Sequence, residues 1–364
     1  MATANEKPGR LRRLYALHAA VILAGVTGCL AVGSLLGGAE SPVWKPLLHA
    51  HDTAALTFGT DILGDVYITD TRMLRYQPVF DERTVRASAA AINSYADTLS
   101  VPVYLLAAPT SAGIYGDLLP ESAPLVNEHN LLRTLASELN DKVVWIEAES
   151  WLSAEREQEI YYRTDSCWTG YGAFCTYRTA IRKLGFNALG YDHFVITHYS
   201  ADFYGRLAQQ SRYFEMQPDL IDLYHYDAEQ PLKQVQALRA DGNVPLSDYL
   251  LPSRAEESGD PADIFAILSE EVLYMETQNQ NSRELLLLTD SFGASMIPFL
   301  LQHYHTVTAV NLELAYANRT DWQALVGSGG DVPYTQVLIL CGADTLSSNV
   351  FAREMRLPAV IENA

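Results

Sequence analysis

Short apolar runs alternate with amphipathic segments along the chain from about residue 59 onward. An uninterrupted apolar run is typical of a strand buried on both faces, and apolar residues about three or four positions apart indicate a helix with one buried face. The runs predict strands at 66–68, 101–107, 143–146, 285–288, 306–312 and 335–341. The periodic segments predict helices at about 84–99, 131–139, 169–184, 296–304 and 322–326. This alternation predicts an α/β fold, a three-layer sandwich with a largely parallel sheet.

The alternation is lost between about residues 194 and 283, which hold short aromatic-rich pieces and a polar stretch at 254–261. We interpret this region as an irregular insertion into one domain that extends from 59 to 364. A chain of 364 residues is long enough to bury the core of one large domain.

The N-terminal part has the pattern of a membrane anchor. Four basic residues lie within 1–13, and the following stretch, 14–36, is largely apolar, with His18 as its one strongly polar residue. Such a run is long enough to cross a bilayer, and the basic flank predicts that 1–13 form a cytoplasmic tail. We therefore expect a single-pass transmembrane signal-anchor at 14–36, a linker at 37–58 and an extracytoplasmic domain.

A lipoprotein is the alternative for this stretch, because residues 26–29 resemble a bacterial lipoprotein cleavage box that ends at Cys29. The apolar run continues beyond Cys29 for about two further helical turns, which favours a retained anchor.

Composition and charge narrow the classes of function. The hydrophobic fraction of 48% and the charged fraction of 19% are typical of a folded protein. The net charge of −19 leaves no basic surface for phosphates, so we expect no nucleic-acid partner. The four cysteines form no CxxC pair, and His49 and His51 lie in the predicted linker, so we expect neither a metal site nor a cofactor.

Ser291 has a chemically useful position in this pattern. It follows the apolar run at 285–288 and precedes the periodic segment at 296–304, which places it between a strand end and a helix N-terminus. Free N–H groups and the positive end of the helix dipole there stabilise an alkoxide or an oxyanion, as in strand–turn–helix serine hydrolases. The alternative is an ordinary serine N-cap, and only a partner acid and base elsewhere in the chain decide between the two.

A second stretch, 161–173, supplies candidate partners. It reads Tyr-Tyr-Arg-Thr-Asp-Ser-Cys-Trp-Thr-Gly-Tyr-Gly-Ala and leads into the predicted helix that ends near Leu184. It resembles the motif of the DHHW family and of the alginate O-acetylation proteins, in which Tyr-x-x-x-Asp-x-His-Trp-Thr is followed by x-x-Gly-Ala. These are SGNH-hydrolase-like enzymes of bacterial cell surfaces, so the resemblance implies an SGNH-like sandwich. Further landmarks in family order, within about 59–346, are 66–68, 108–110, 114–115, 119–120, 203–207 and 290–292.

The resemblance implies acyl transfer through a serine, a histidine and an aspartate. In that chemistry the serine attacks an acyl group, the histidine removes its proton and the aspartate orients the histidine. Carried over by position, the nucleophile is Ser291, the orienting acid is Asp165 and the base position is occupied by Cys167. The residues that we expect to contact substrate are Arg163, Trp168, Thr110 and Tyr115.

Cys167 is the main departure from the family motif. A thiol, whose ordinary pKa is about 8.5, does not relay a proton as an imidazole does. His193, His198 and His225 follow the motif in the chain, but nothing in their positions marks one of them as a substitute base. Other interpretations stay open: Cys167 as a small buried hydrophobe or as the nucleophile itself, Asp165 as a cap, and the tryptophan of the motif as a core residue.

The resemblance implies O-acetyl transfer or removal on a cell-surface or exported polysaccharide. The acetyl group would come from a membrane partner such as a membrane-bound O-acyltransferase. The alternative is a degenerate family member that binds polysaccharide or scaffolds an envelope complex without turnover.

An extracytoplasmic domain raises the question of a disulfide between Cys167 and Cys175. Cys175 lies on the helix predicted from about Thr169, and Cys167 lies before the first turn of that helix. A rise of about 1.5 Å per residue separates the two by roughly 9–12 Å, beyond the limit of about 7 Å between the Cα atoms of a bridge. We therefore predict free thiols.

Overall fold

The computed structural model describes residues 24–25, 27–28, 61–75, 81–121, 123, 127–226, 232–246, 270–327 and 333–355. The predicted tail at 1–13 and the predicted linker at 37–58 lie outside the described residues, as does most of the predicted anchor at 14–36, including Cys29. Within the described ranges, no helix combines the length and the hydropathy that crossing a membrane requires.

The described chain alternates strands and helices, labelled here in chain order. The strands are β1 (Ile62–Leu63), β2 (Val66–Ile68), β3 (Met73–Arg75), β4 (Val103–Ala108), β5 (Val143–Ile146), β6 (Phe194–Phe203), β7 (Asp219–Tyr226), β8 (Leu232–Ala237), β9 (Val244–Pro245), β10 (Val272–Thr277), β11 (Glu284–Thr289), β12 (Thr306–Asn311) and β13 (Gln336–Gly342). The helices are α1 (Glu82–Asp97), α2 (Ser111–Ile114), α3 (Glu128–Ser137), α4 (Glu149–Ala154), α5 (Gly170–Lys183), α6 (Arg206–Ser211), α7 (Gly293–Leu300), α8 (Leu312–Asn318), α9 (Trp322–Val326), α10 (Ala343–Leu346) and α11 (Asn349–Glu354).

An eight-stranded sheet forms the centre of the domain, in the order β5-β4-β13-β11-β12-β10-β8-β9. The strands from β5 to β12 in this order run parallel to one another. β10, β8 and β9 continue the sheet in antiparallel pairs. The predicted α/β fold is therefore confirmed, and its sheet is mixed because one edge is antiparallel.

Side chains of the central strands enter two separate cores. On β11, Leu285 and Leu287 pack with α5 and α7 on one face, whereas Leu286 and Leu288 pack with α1 and α3 on the other. Burial of both faces explains why this strand is an uninterrupted apolar run. Each buried leucine contributes roughly 1.5–3 kcal/mol, so the strand that precedes Ser291 is firmly held between two helical layers.

The region at 194–283, which the sequence pattern suggests to be an irregular insertion, is largely regular in its described part. β6 and β7 form a separate antiparallel pair, and β8, β9 and β10 extend the main sheet. The side chains of β8 are partly exposed, as in Lys233, and partly buried, as in Val235. Such a strand, which lies next to the edge strand β9, gives no continuous apolar run, so its sequence does not mark it as part of the sheet.

Candidate active site

Ser291 lies in a tight turn at the carboxyl end of β11, two residues before α7 begins. Asp290 fixes this turn, because its Oδ1 accepts from the backbone N–H of Phe292 at 3.0 Å and its Oδ2 accepts from that of Gly342 at 2.7 Å. The N-cap position of α7 is Phe292. The residue before α7 is therefore Phe292 and not Ser291, and the side chain that accepts from a backbone N–H of this turn is that of Asp290.

The loop before α5 reaches the same edge of the sheet. Tyr161 donates from its hydroxyl to the carbonyl of Pro109 at 2.5 Å, just after β4. Trp168 donates from Nε1 to the carbonyl of Phe292 at 3.2 Å, and its fully buried indole packs edge-to-face on the ring of Phe292 with the centroids 4.9 Å apart. The two stretches singled out in the sequence thus converge, although Trp168 and Phe292 are 124 residues apart in the chain.

The side chains of Cys167 and Ser291 are in contact. Cys167 Sγ lies 3.4 Å from Ser291 Oγ and donates a weak hydrogen bond to it. Burial and the neighbouring Asp165 carboxylate raise the pKa of the Cys167 thiol, and the charge of Arg206 opposes this shift only in part. The thiol is therefore protonated near neutral pH, where it supplies neither a base for Ser291 nor a thiolate nucleophile.

Backbone groups use both carboxylate oxygens of Asp165. Its Oδ1 accepts from the N–H of Cys167 at 3.0 Å, and its Oδ2 accepts from the N–H of Arg206 at 2.7 Å. The second bond joins the loop to Arg206, the first residue of α6. The helix packs through Leu207 and Ala208 against the small sheet of β1, β2 and β3. Asp165 therefore holds two segments of the site together.

The guanidinium of Arg206 contacts this group of side chains. Its Nη2 donates to Cys167 Sγ and to Ser291 Oγ, each at 3.2 Å, and to Ser166 Oγ at 3.3 Å. Its Nε lies 3.7 Å from Asp165 Oδ2. The sequence marks Arg206 only as a member of a family landmark and assigns it no role, because no sequence pattern shows that α6 begins beside Asp165.

The described histidine side chains form hydrogen bonds with residues other than Ser291. Burial lowers the pKa of His303 to about 4. Among the described histidine side chains, none hydrogen-bonds to Ser291, and the side chain of His225 lies outside the described part of the chain. The observed pairs are His129 with Glu149, His193 with Asp192, His198 with Asp222, His303 with Tyr177, and His305 with the carbonyl of Asn279.

Thr110, one of the expected substrate contacts, is engaged by a buried carboxyl group. It donates to Glu128 from its backbone N–H at 2.7 Å and from its hydroxyl at 2.6 Å. Its Oγ1 also accepts from the N–H of Gly113 and so caps α2. Burial raises the pKa of Glu128 to about 8, although the hydrogen bonds from Thr110 act in the opposite direction.

The other expected substrate contacts differ in exposure. Tyr115 is buried, and the guanidinium carbon of Arg72 lies 3.5 Å from the centroid of its ring. Arg163 is partly exposed and pairs with Glu159. Thr110, Tyr115 and Trp168 are thus buried, and in this conformation they shape the site by packing rather than by facing a ligand.

In the described part of the chain, Cys167, Cys175 and Cys341 are free cysteines. Among the described residues, no group of three or more histidine, cysteine, aspartate or glutamate side chains is placed to hold a metal ion.

Comparison with known proteins identifies the family. A family model described as DHHW protein matches residues 49–310, which include the loop before α5, α6 and Ser291. The chain belongs to the DHHW family. None of the curated proteins matches the chain significantly.

Solved structures of similar fold include another DHHW family protein, from Eubacterium siraeum, with a TM-score of 0.61 and 17% identity over 80% of this chain and 93% of that one. Bacillus cereus PatB1 has a TM-score of 0.66 and 19% identity over 80% of this chain and 99% of that one. The same protein with a sulfonyl adduct has a TM-score of 0.65 and 18% identity, with 79% and 97% covered. At such identities the likeness shows the fold alone.

In this DHHW family member, a serine, a thiol and a guanidinium lie within 3.4 Å of one another at the candidate site.

Proposed function

We propose that this DHHW family protein transfers or removes O-acetyl groups on a cell-surface or exported polysaccharide, with Ser291 as the nucleophile. The observation that carries the proposal is the Ser291 hydroxyl at the carboxyl end of a central parallel strand, 3.4 Å from Cys167 Sγ and 3.2 Å from Arg206 Nη2. Ligands of open α/β sheets bind outside this end of the strands. Acyl transfer through a serine requires no cofactor.

The proposal includes a place and a partner for this reaction. The basic residues at 1–13 and the apolar run at 14–36 support a signal-anchor in the cell membrane, with the domain outside. A donor on that side of the membrane is then needed, and a membrane-bound O-acyltransferase is a partner of suitable chemistry. The polysaccharide and the partner both come from the family resemblance.

A second candidate function is polysaccharide binding or scaffolding of an envelope complex without turnover. It is favoured by the protonated Cys167 thiol at the position of the family base, because a serine hydroxyl without an adjacent base is a weak nucleophile.

Reaction with a sulfonyl fluoride decides between the two functions. The structure of Bacillus cereus PatB1 with a sulfonyl adduct makes this class of reagent a suitable probe. We expect the native protein to be labelled on Ser291, read by mass spectrometry of the peptide, and to hydrolyse p-nitrophenyl acetate slowly. Ser291→Ala should lose both reactions, and Ser282→Ala, at an exposed serine, should keep them. A folded native protein whose Ser291 stays unlabelled would favour the binding function.

A further inference from the structure

Arg206 connects the two residues that a histidine connects in a serine triad. Its Nε lies 3.7 Å from Asp165 Oδ2, and its Nη2 lies 3.2 Å from Ser291 Oγ. In a triad, one imidazole nitrogen contacts the carboxylate and the other contacts the serine. Here a guanidinium lies beside both groups, and its side chain is 51% exposed.

The backbone fixes the position of Arg206. Its N–H donates to Asp165 Oδ2 at 2.7 Å, and the N–H of Leu207 donates to the carbonyl of Thr164 at 3.0 Å. A Cβ atom on the preceding Gly205 would lie 2.4 Å from the Cβ of Asp165, so the close approach of the two segments requires glycine. The start of α6 is thereby held against the motif loop.

The groups that Nη2 contacts do not neutralise the charge of Arg206. Ser166, Cys167 and Ser291 are uncharged acceptors, whereas the Asp165 carboxylate lies beside Nε, at 3.7 Å, and the charge of Glu313 also acts on the guanidinium. A guanidinium remains protonated in proteins, so it cannot take the proton of Ser291. It can stabilise negative charge on Oγ or on an acyl oxygen beside it.

We propose that Arg206 is a catalytic residue, which stabilises the negative charge that develops when Ser291 attacks an acyl ester. This inference rests on the proposed function. Hydroxide from the solvent takes the proton of Oγ while Oγ bonds to the acyl carbon, and the π electron pair moves to the carbonyl oxygen, which accepts a hydrogen bond from Nη2. When this oxyanion collapses, the bond to the alcohol oxygen breaks, and that oxygen takes a proton from water and regenerates hydroxide. The products are an acyl-serine and the free alcohol.

The dependence of the rate on pH follows from this step. Because hydroxide removes the proton of the Ser291 hydroxyl, the rate of acylation of Ser291 should rise about tenfold per pH unit between about pH 6 and pH 9. An internal imidazole base would instead give a plateau above its pKa, ordinarily about 6.5.

The principal test compares Arg206→Gln and Arg206→Lys with the native protein. The matched control is Arg83→Gln, on a side chain that is 91% exposed. The rates of sulfonyl labelling at Ser291 and of p-nitrophenyl acetate hydrolysis should fall at least about tenfold in Arg206→Gln, because an oxyanion donor is typically worth about 10²–10³ in rate. Arg206→Lys should recover part of the loss, and Arg83→Gln should match the native protein. Equal rates in the native protein and in Arg206→Gln would overturn the role of Arg206 while leaving Ser291 as the nucleophile.

A second measurement does not depend on acyl transfer. Arg206 Nη2 lies 3.2 Å from Cys167 Sγ, so its charge should also stabilise a thiolate there. Alkylation of Cys167 by iodoacetamide at about pH 8, followed on its own peptide, should slow at least about tenfold in Arg206→Gln and recover in Arg206→Lys. Unchanged alkylation in Arg206→Gln would refute the electrostatic role itself. An inert Ser291 combined with charge-dependent alkylation would instead refute acyl transfer, and with it the catalytic role.

Discussion

The Cys167 side chain lies 3.4 Å from Ser291 Oγ, on a backbone that its neighbours hold in place. Asp165 accepts from the N–H of Cys167, and Trp168 donates to the carbonyl of Phe292. Asp165 and Trp168 therefore hold the backbone on both sides of Cys167, at the position where the family resemblance places a histidine. Replacing the side chain of Cys167 tests that placement.

Cys167→His should raise the rate of p-nitrophenyl acetate hydrolysis at least about tenfold. A general base typically contributes about 10²–10⁴ in rate, but an unselected spacing reduces the gain. Ser291→Ala in the same background should abolish the increase, and Cys175→His on α5 should give none. A native protein that is already fast, and that Cys167→His slows, would mean that the base lies elsewhere. A folded but inert Cys167→His protein would favour the binding function.

The elements beside the site differ in how far their sequences predict them. The helix expected at about 169–184 is observed as Gly170–Lys183, and the strands expected at 66–68 and 143–146 are observed with those bounds. The helix is predictable from its periodic apolar pattern, and the two strands from their short apolar runs, although Val144 in the second strand is exposed. α6 has six residues and is fixed by tertiary contacts to Thr164 and Asp165, so periodicity does not reveal it. For this reason the sequence identifies Ser291 and Asp165 as candidates but gives Arg206 no role.

Gly205→Ala should separate α6 from the motif loop. The added Cβ would lie 2.4 Å from Asp165 Cβ, 2.6 Å from Asp165 Oδ2 and 2.8 Å from the carbonyl of Thr164. We expect the free energy of unfolding in urea to fall by about 1–3 kcal/mol, as for other overpacked sites. Labelling of Ser291 should fall with it, because Arg206 moves with the helix.

Gln209→Ala, at an exposed position on α6, is the matched control and should be close to native in both measurements. Native stability and native labelling in Gly205→Ala would show that the contact between α6 and the motif loop is not needed.

Across the whole molecule, candidate residues from distant parts of the chain meet because parallel strands bring their carboxyl ends to one edge of the sheet. Ser291 follows β11, Thr110 follows β4 and Gly342 ends β13, and these three strands are neighbours in the sheet. The alternating pattern predicts the parallel strands but not their order, since order depends on which strands pair in space. The carboxyl groups of Glu128 and Asp290 are buried at the same edge, in a protein of net charge −19. Their protonation makes the stability of the fold depend on pH.

Two buried acids at this edge should make the protein less stable as pH rises above neutrality. Burial raises the pKa of Glu128 from 4.5 to about 8 and that of Asp290 from 3.8 to about 7. At pH values between the unfolded and the folded pKa of each group, the folded state binds more protons than the unfolded state. The stability that these groups contribute is therefore present at low pH and is lost as pH rises through the folded pKa. His303, whose pKa burial lowers from 6.5 to about 4, has the opposite sign, but its contribution is complete above about pH 6.5.

The window from about pH 6.5 to about pH 8.5 therefore isolates the buried acids. We expect the free energy of unfolding in urea to decrease across this window in the native protein. Glu128→Gln keeps a neutral group of the same shape beside Thr110, so it should flatten the decrease, whereas Glu121→Gln, at an exposed glutamate, should leave it unchanged. A native stability that is constant or rises across the window, or an undiminished slope in Glu128→Gln, would show that Glu128 is already ionised in the folded protein at neutral pH.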